Sequence, residues 1–113
     1  MAAYQSLDIS VPTSTTGGPE EDGIGAAVAV HNLCDKWLVV TGFSTDEVDF
    51  QISLDEGATY VTPTDLDGLA ADTAVPIEIP FAATHIRAVC VSGTPDMVAT
   101  VRGMQLSHTP PLI

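Results

Sequence analysis

The chain has 113 residues, of which 45% are hydrophobic and only 5% aromatic. A single domain of this size buries roughly two-thirds of its unfolded surface, and Val, Ile, Leu and Ala must fill most of its core. Three Lys and Arg residues against 15 Asp and Glu residues give a net charge of −12. This charge argues against a nucleic-acid partner or an anionic membrane surface, because no basic patch is present to release counterions.

The first residues carry no targeting signal. Residues 1–5 lack a positively charged stretch followed by an apolar one, and no apolar run approaches the length that spans a bilayer. We therefore expect synthesis in a cytoplasm and release, if any, by lysis or by a dedicated machine.

Period-two alternation and turn residues predict about eight short strands and no helix longer than two turns. A long loop or arm, residues 12–25, is dense in Gly, Pro, Ser, Thr and acidic residues. The predicted strands are residues 4–11, 26–30, 37–41, 47–54, 59–61, 74–79, 84–91 and 97–104. Strands spaced about ten residues apart predict an all-β fold, a single β-sandwich or jelly-roll-like domain over residues 1–113.

The clearest unit lies between residues 37 and 91. Apolar residues alternate with polar ones in strand 47–54, and Asp55-Glu56-Gly57 then breaks the alternation, which predicts a hairpin turn. In strand 84–91 one face is apolar and the other is mixed, so we expect the second face to be covered at one end and wet at the other. The residues predicted for the core of this unit are Trp37, Phe50, Ile52 and Ile86.

This unit resembles the small β-sandwich virion structural proteins of tailed bacteriophages. The resemblance covers roughly half of the chain and rests on five features in order: the aromatic Trp37 near the start of a strand, the turn Thr41-Gly42-Phe43-Ser44, a V-x-F/V-x-I/V-x-S strand from Val48 to Ser53, an S-x-D-G-G-x-x-F/W/Y hairpin from Ser53 to Tyr60, and an a-x-x-I-R-x-x-x strand from Ala83 to Cys90. The hairpin departs from the pattern at Glu56, where a first Gly is common.

The resemblance implies a non-enzymatic structural protein of the virion. The expected role is a capsid decoration or cement protein, or a head-tail accessory module, that acts through protein-protein contacts. The implied partners are further copies of the chain, with a trimer favoured, and the major capsid protein or another virion protein. The alternative is a carbohydrate-binding or adhesion module on a particle surface, because similar sandwiches occur there.

No catalytic, cofactor-binding or metal-binding residue can be nominated from the sequence. Residues 65–68 (Asp-Leu-Asp-Gly) resemble the opening of a calcium loop but lack its later oxygen ligands, so we expect an ordinary turn. The acidic run 20–22 is expected to be a solvated cluster, with weak calcium binding as the alternative. The three histidines, His31, His85 and His108, are not spaced as metal ligands. Cys34 and Cys90 are expected to be buried thiols rather than a disulfide.

The sequence nominates six partner contacts. Arg87 is a lone cation in a strand of an acidic protein, so it either pairs with a local carboxylate or reaches one on a partner. The tail, residues 108–113, ends in two prolines and two apolar residues that would stabilise an assembly if buried on a neighbour; the alternative is that it folds back on its own sandwich. The candidate contacts are Tyr4, Arg87, Pro110, Pro111, Leu112 and Ile113.

Overall fold

The structure, a computed structural model, describes residues 3–12, 23–71, 77–90 and 97–105. These residues contain seven strands, a 3-10 turn at Thr64–Leu66 and no α-helix, so the predicted all-β class is confirmed. The strands are β1 Ala3–Ile9, β2 Val28–Ala29, β3 Leu33–Ser53, β4 Leu69–Ala71, β5 Ile77–Glu78, β6 His85–Cys90 and β7 Met97–Gln105.

Strand β3 organises the fold because it belongs to both sheets. Its first half pairs with β7 and β5, and β1 pairs with the outer side of β7. Its second half pairs with β6 and β4, and β2 pairs with the outer side of β6. All of these pairs are antiparallel, so two sheets share one long strand in a sandwich-like domain.

The chain does not reverse at residues 41–44, where a turn was predicted. These residues remain inside the 21-residue strand β3. A straight strand of this length would span roughly 70 Å, which exceeds the longest dimension of the molecule, 55 Å. The strand must therefore bend, and its register against β4 shifts between Phe43 and Val48, where it passes from the first sheet to the second. The Gly and Ser that suggested a turn thus lie where the strand changes sheets.

One hydrophobic core lies between the two sheets. The inner face of the first sheet contributes Leu38 and Val40, and the second contributes Phe50, Ile52 and Ile86, all nearly or fully buried. The core positions predicted at Phe50, Ile52 and Ile86 are confirmed.

A β-bulge at the start of β3 decides which residues enter this core. Cys34 pairs with Met104 and Trp37 pairs with Arg102, so three steps along β3 match two along β7. The extra residue lies around Asp35, which has a φ of 49°, the left-handed conformation that Asp tolerates better than most residues.

The bulge explains why the core prediction for Trp37 is wrong. After the extra residue, Lys36, Leu38 and Val40 point inward, so Trp37 points outward and retains 38% of its exposure. In the sequence WLVV every residue is apolar, and alternation alone does not state which pair faces the core.

The inward position of Lys36 places a cation at the edge of the core. Its Nζ donates hydrogen bonds to the carbonyl oxygens of Leu33, at 2.8 Å, and Phe81, at 3.0 Å, and lies 5.4 Å from the centre of the Phe81 ring. Burial lowers the pKa of Lys36, against a smaller opposing effect of Cys34. The side chain satisfies two backbone acceptors and ties the loop after β5 to the start of β3.

Other predicted boundaries shift by a few residues. Strand 26–30 shortens to Val28–Ala29, and predicted strand 59–61 is reduced to one bridge between Val61 and Ile52. Strand β4 was not predicted, since its three residues fall in a segment read as loop. Within the arm, residues 13–22 lie outside the described residues, whereas Ile24 and Gly25 lie against β6, where the Gly25 amide donates to the Ala88 carbonyl at 2.8 Å.

Candidate interaction surface

The hairpin after β3 is held together by two short polar side chains. The Ser53 hydroxyl donates to Asp55 Oδ1 at 2.7 Å and accepts the Gly57 amide at 2.8 Å. Asp55 in turn accepts the hydroxyl of Thr59, at 2.7 Å, and its amide, at 2.9 Å. These donors, the Thr59 hydroxyl first, lower the pKa of Asp55 to about 2 because they stabilise the ionised carboxylate. These hydrogen bonds within the hairpin hold the path of the chain from Ser53 to Thr59.

Glu56 stands where the virion proteins that this chain resembles commonly have a first Gly, and the backbone of the hairpin explains why a Gly suits this position. Glu56 has a φ of 61° and Gly57 a φ of 91°, so two consecutive residues are left-handed. Glycine takes this conformation without the Cβ penalty. Glu56 takes it while its amide donates to the Thr84 hydroxyl at 3.0 Å, which attaches the hairpin to the start of β6.

Tyr60, immediately after the hairpin, lies against Arg87 on the outer face of the second sheet. The Cζ atom of Arg87 is 3.8 Å from the centre of the Tyr60 ring, a cation-π contact. Arg87 Nε donates to Gln51 Oε1 at 2.9 Å, and Gln51 is directly opposite Arg87 across β3 and β6. The Gln51 amide nitrogen donates to the Thr62 hydroxyl at 3.4 Å. Tyr60 and Gln51, both distant in sequence from Arg87, thus hold its guanidinium group, and Thr62 in turn holds the Gln51 amide.

Two histidines extend this outer face. The rings of His31 and His85 lie 6.3 Å apart, and His85 Nδ1 is 3.1 Å from the Thr84 hydroxyl. The same hydroxyl donates to the Ser53 carbonyl at 3.2 Å and accepts the Glu56 amide at 3.0 Å, so it joins His85 to the hairpin. The mixed face predicted for this strand is confirmed, because His85 and Arg87 are half-buried while Val89 is buried.

An acidic group lies near residues 65–68. The Gly68 amide donates to Asp49 Oδ1 at 2.7 Å, and Gly68 has a φ of 67°. Burial, followed by the neighbouring carboxylates of Asp67 and Glu47, raises the pKa of Asp49 against the opposing bond from Gly68. Within the described ranges, no three His, Cys, Asp or Glu side chains form a group that could hold a metal ion.

The outer face of the first sheet is partly apolar. Trp37 pairs with Arg102, and Val39 and Thr41 follow it along β3, opposite Thr100 and Val98. Trp37 is 38% exposed and Val98 62% exposed. The exposed Trp37 and Val98, together with the half-buried Val39, make up what we call the Trp37 face, an apolar area on a protein with a net charge of −12.

The structure treats the six sequence-predicted contacts unequally. Arg87 lies at the centre of the second sheet's outer face. Tyr4 is in β1 opposite Met104, and its side chain lies outside the described residues, as do residues 110–113. Of the two readings for Arg87, the local carboxylate is not observed, because within the described segments its hydrogen bond goes to Gln51.

Sequence reasoning missed Tyr60, Gln51 and the Trp37 face. The pairing of Gln51 with Arg87 could have been found only from the register of β3 against β6, and the contact of Tyr60 only from the path of the chain after the hairpin. The cysteines lie in different sheets, Cys34 opposite Met104 and Cys90 opposite Val48, and both are thiols rather than half-cystines. Cys90 is buried as predicted, whereas the prediction of a buried Cys34 is wrong, because this residue is half-buried beside the bulge.

Comparison with protein-family models, curated proteins and solved structures finds no match to this chain. Among the described residues there is no helix with the length and apolar character needed to cross a bilayer.

Proposed function

We propose that this protein is a non-enzymatic structural component of a bacteriophage virion, a capsid decoration or cement protein that stabilises the shell through protein-protein contacts. The observation that carries the proposal is the Trp37 face, an exposed apolar area on a strongly acidic β-sandwich. The sequence resemblance between residues 37 and 91 supplies the virion setting.

The Trp37 face has the composition expected at the centre of a protein interface. Aromatic side chains are enriched there and charged ones are depleted. Trp37 and Val98 are exposed in the isolated chain, so docking them removes apolar surface from water without unfolding anything. Arg102 and Glu78, which pair with Trp37 on either side, place opposite charges at the rim. Partner choice then depends on a polar rim around an apolar centre.

The proposed assembly is a homo-oligomer, with a trimer favoured, bound to the major capsid protein or another virion protein. Tyr4 and residues 110–113 are proposed as further contacts. Copies that each carry a charge of −12 repel one another, and added salt screens this repulsion. The oligomer should therefore become more stable as ionic strength rises.

Co-sedimentation tests this proposal. The purified chain is mixed with capsids assembled from the major capsid protein encoded in the same genome. Wild type should sediment with the capsids, and Trp37→Ser with Val98→Ser should bind at least ten times more weakly. Leu54→Ser is the matched control, since Leu54 is an exposed apolar residue on the hairpin instead, and it should bind like wild type. Failure of the wild type to sediment at any salt concentration would contradict the proposal.

A carbohydrate-binding or adhesion module is the second candidate, and the exposure of Trp37 favours it. An indole ring that stands out from a sheet can stack on a sugar ring. A glycan array decides between the candidates: saturable binding of one glycan class that Trp37→Ala abolishes, together with no capsid binding, would replace the first proposal with the second.

A further inference from the structure

Arg87 is a cation whose charge is not matched locally. Its guanidinium group lies over the Tyr60 ring, with Cζ 3.8 Å from the ring centre, and its Nε donates to the neutral amide of Gln51. The nearest acidic residue on the same face of β3 is Asp49, and that carboxylate accepts the Gly68 amide. In the parts of the chain that the structure describes, neither Nη group of Arg87 donates a hydrogen bond to a protein atom.

The two contacts of Arg87 restrict how the group can move. The Tyr60 ring covers one side of the guanidinium group, and the bond from Nε to Gln51 restricts the direction in which the group points. The fork of Nη donors is thereby held in one direction before any ligand arrives. A planar guanidinium fork matches the two oxygens of a carboxylate, and a group ordered in advance loses less entropy on binding.

The charge distribution of the protein limits the kind of anion that can bind Arg87. The chain has three Lys and Arg residues and a net charge of −12. Lys36 donates its hydrogen bonds to backbone carbonyl oxygens, and Arg102 lies on the outer face of the other sheet. A polyanion would be repelled by the protein as a whole, whereas one carboxylate on a protein surface meets a single cation at short range.

We propose that Arg87, held by Tyr60 and Gln51, is a receptor for the carboxylate of an Asp or Glu side chain on a protein partner. This proposal rests on the proposed function, because it names the chemistry of one contact in the docked assembly. The carboxylate binds across the Nη edge, the only edge of the guanidinium that Gln51 and Tyr60 leave open.

The site can be tested with acetate as the probe. The Nε–H resonance of Arg87 is followed by NMR while sodium acetate replaces sodium chloride at constant ionic strength. We expect a saturable shift with a dissociation constant on the order of tens of millimolar, as for a single exposed charge-assisted pair. Following backbone amides on β6, Tyr60→Leu should weaken binding at least fivefold while Tyr60→Phe retains it, since only the former removes the stacked ring.

The matched control is Arg102. Arg87→Met and Arg102→Met change the net charge by the same amount, but only Arg87→Met should abolish the saturable response of the β6 amides. An equal loss in both variants, or a shift with acetate no larger than with chloride, would overturn the proposal. Arg87→Lys keeps the charge without the planar fork and should bind at least fivefold more weakly.

Capsid co-sedimentation of the Arg87 and Tyr60 variants separates this proposal from the one on which it rests. Loss of capsid binding in Arg87→Met and Tyr60→Leu but not in Tyr60→Phe supports both. If Arg87→Met binds capsids like the wild type, the role of Arg87 in docking is overturned and the virion function is left standing. If no variant binds capsids while acetate still saturates Arg87, the carboxylate receptor stands and the proposed function fails.

Discussion

Replacing Gly103 by Ala tests the bulge that sets the direction of every residue after it in β3. Gly103 lies where β7 crosses the extra residue of β3. A Cβ at this position would lie 3.0 Å from the carbonyl oxygen of Cys34, 3.2 Å from Lys36 Cα and 3.3 Å from Leu33 Cβ. Two of these three atoms belong to the backbone, so no side-chain rotation can make room. Overpacking of this kind costs about 1–3 kcal/mol, a large part of the stability of a small domain.

Thermal unfolding followed by far-ultraviolet circular dichroism measures this cost. For a domain of this size, about 1–3 kcal/mol lowers the melting temperature by roughly 4–12 °C. Val98→Thr is the control, because Val98 lies on the same strand, is 62% exposed and is replaced by another β-branched residue, so stability should change by less than about 0.5 kcal/mol. If Gly103→Ala melts like the wild type, β7 does not approach β3 this closely and the bulge is misplaced.

Three further predictions concern single side chains. Phe50→Ala should lower the free energy of unfolding by about 3–5 kcal/mol, because it leaves a cavity in the core. Trp37→Ala should lower it by only about 1–2 kcal/mol, since Trp37 lies at the surface. Equal losses of the two variants in urea denaturation would refute the outward position of Trp37. The pKa of Asp55 is about 2, below its ordinary value, because the folded state stabilises the ionised carboxylate. The free energy of unfolding of the wild type should therefore exceed that of Asp55→Asn by its full amount above about pH 4, and the difference should disappear as the pH falls through about 2. A difference that does not depend on pH would contradict this. The pKa of Asp49 is raised, so its ionised form opposes folding. Asp49→Asn should therefore stabilise the protein at pH 7 by less than about 1 kcal/mol, and this gain should shrink as the pH falls through the raised pKa. Destabilisation by Asp49→Asn at pH 7 would count against the repulsion between Asp49 and the neighbouring carboxylates.

The all-β class was predictable because it depends on local alternation. In β6 successive residues alternate between the buried face, which carries Ile86, and the half-buried face, which carries Arg87. Buried and more exposed residues alternate along β7 as well. The hairpin was predictable for a similar reason, since Ser53, Asp55 and Gly57 all bond within four residues of one another. Local chemistry decides both features.

The length of β3 and the exposure of Trp37 were not predictable in this way. Whether residues 41–44 turn or bend depends on which strands lie beside them, and β7 continues to pair with β3 as far as Gly42. The outward position of Trp37 depends on a bulge whose cause includes Gly103, distant in sequence. The cluster around Arg87 likewise requires the register of two strands, which alternation within one strand does not contain.

The most direct test of the proposed structural role is the stoichiometry of the chain on assembled capsids. Cryo-electron microscopy of capsids saturated with the purified protein, at moderate salt, gives both the number of copies and their symmetry. We expect ordered density at symmetric junctions of the shell, three copies to each, with the Trp37 face turned toward a neighbouring molecule. Bare capsids, or copies scattered without a fixed position, would contradict the role proposed for this protein.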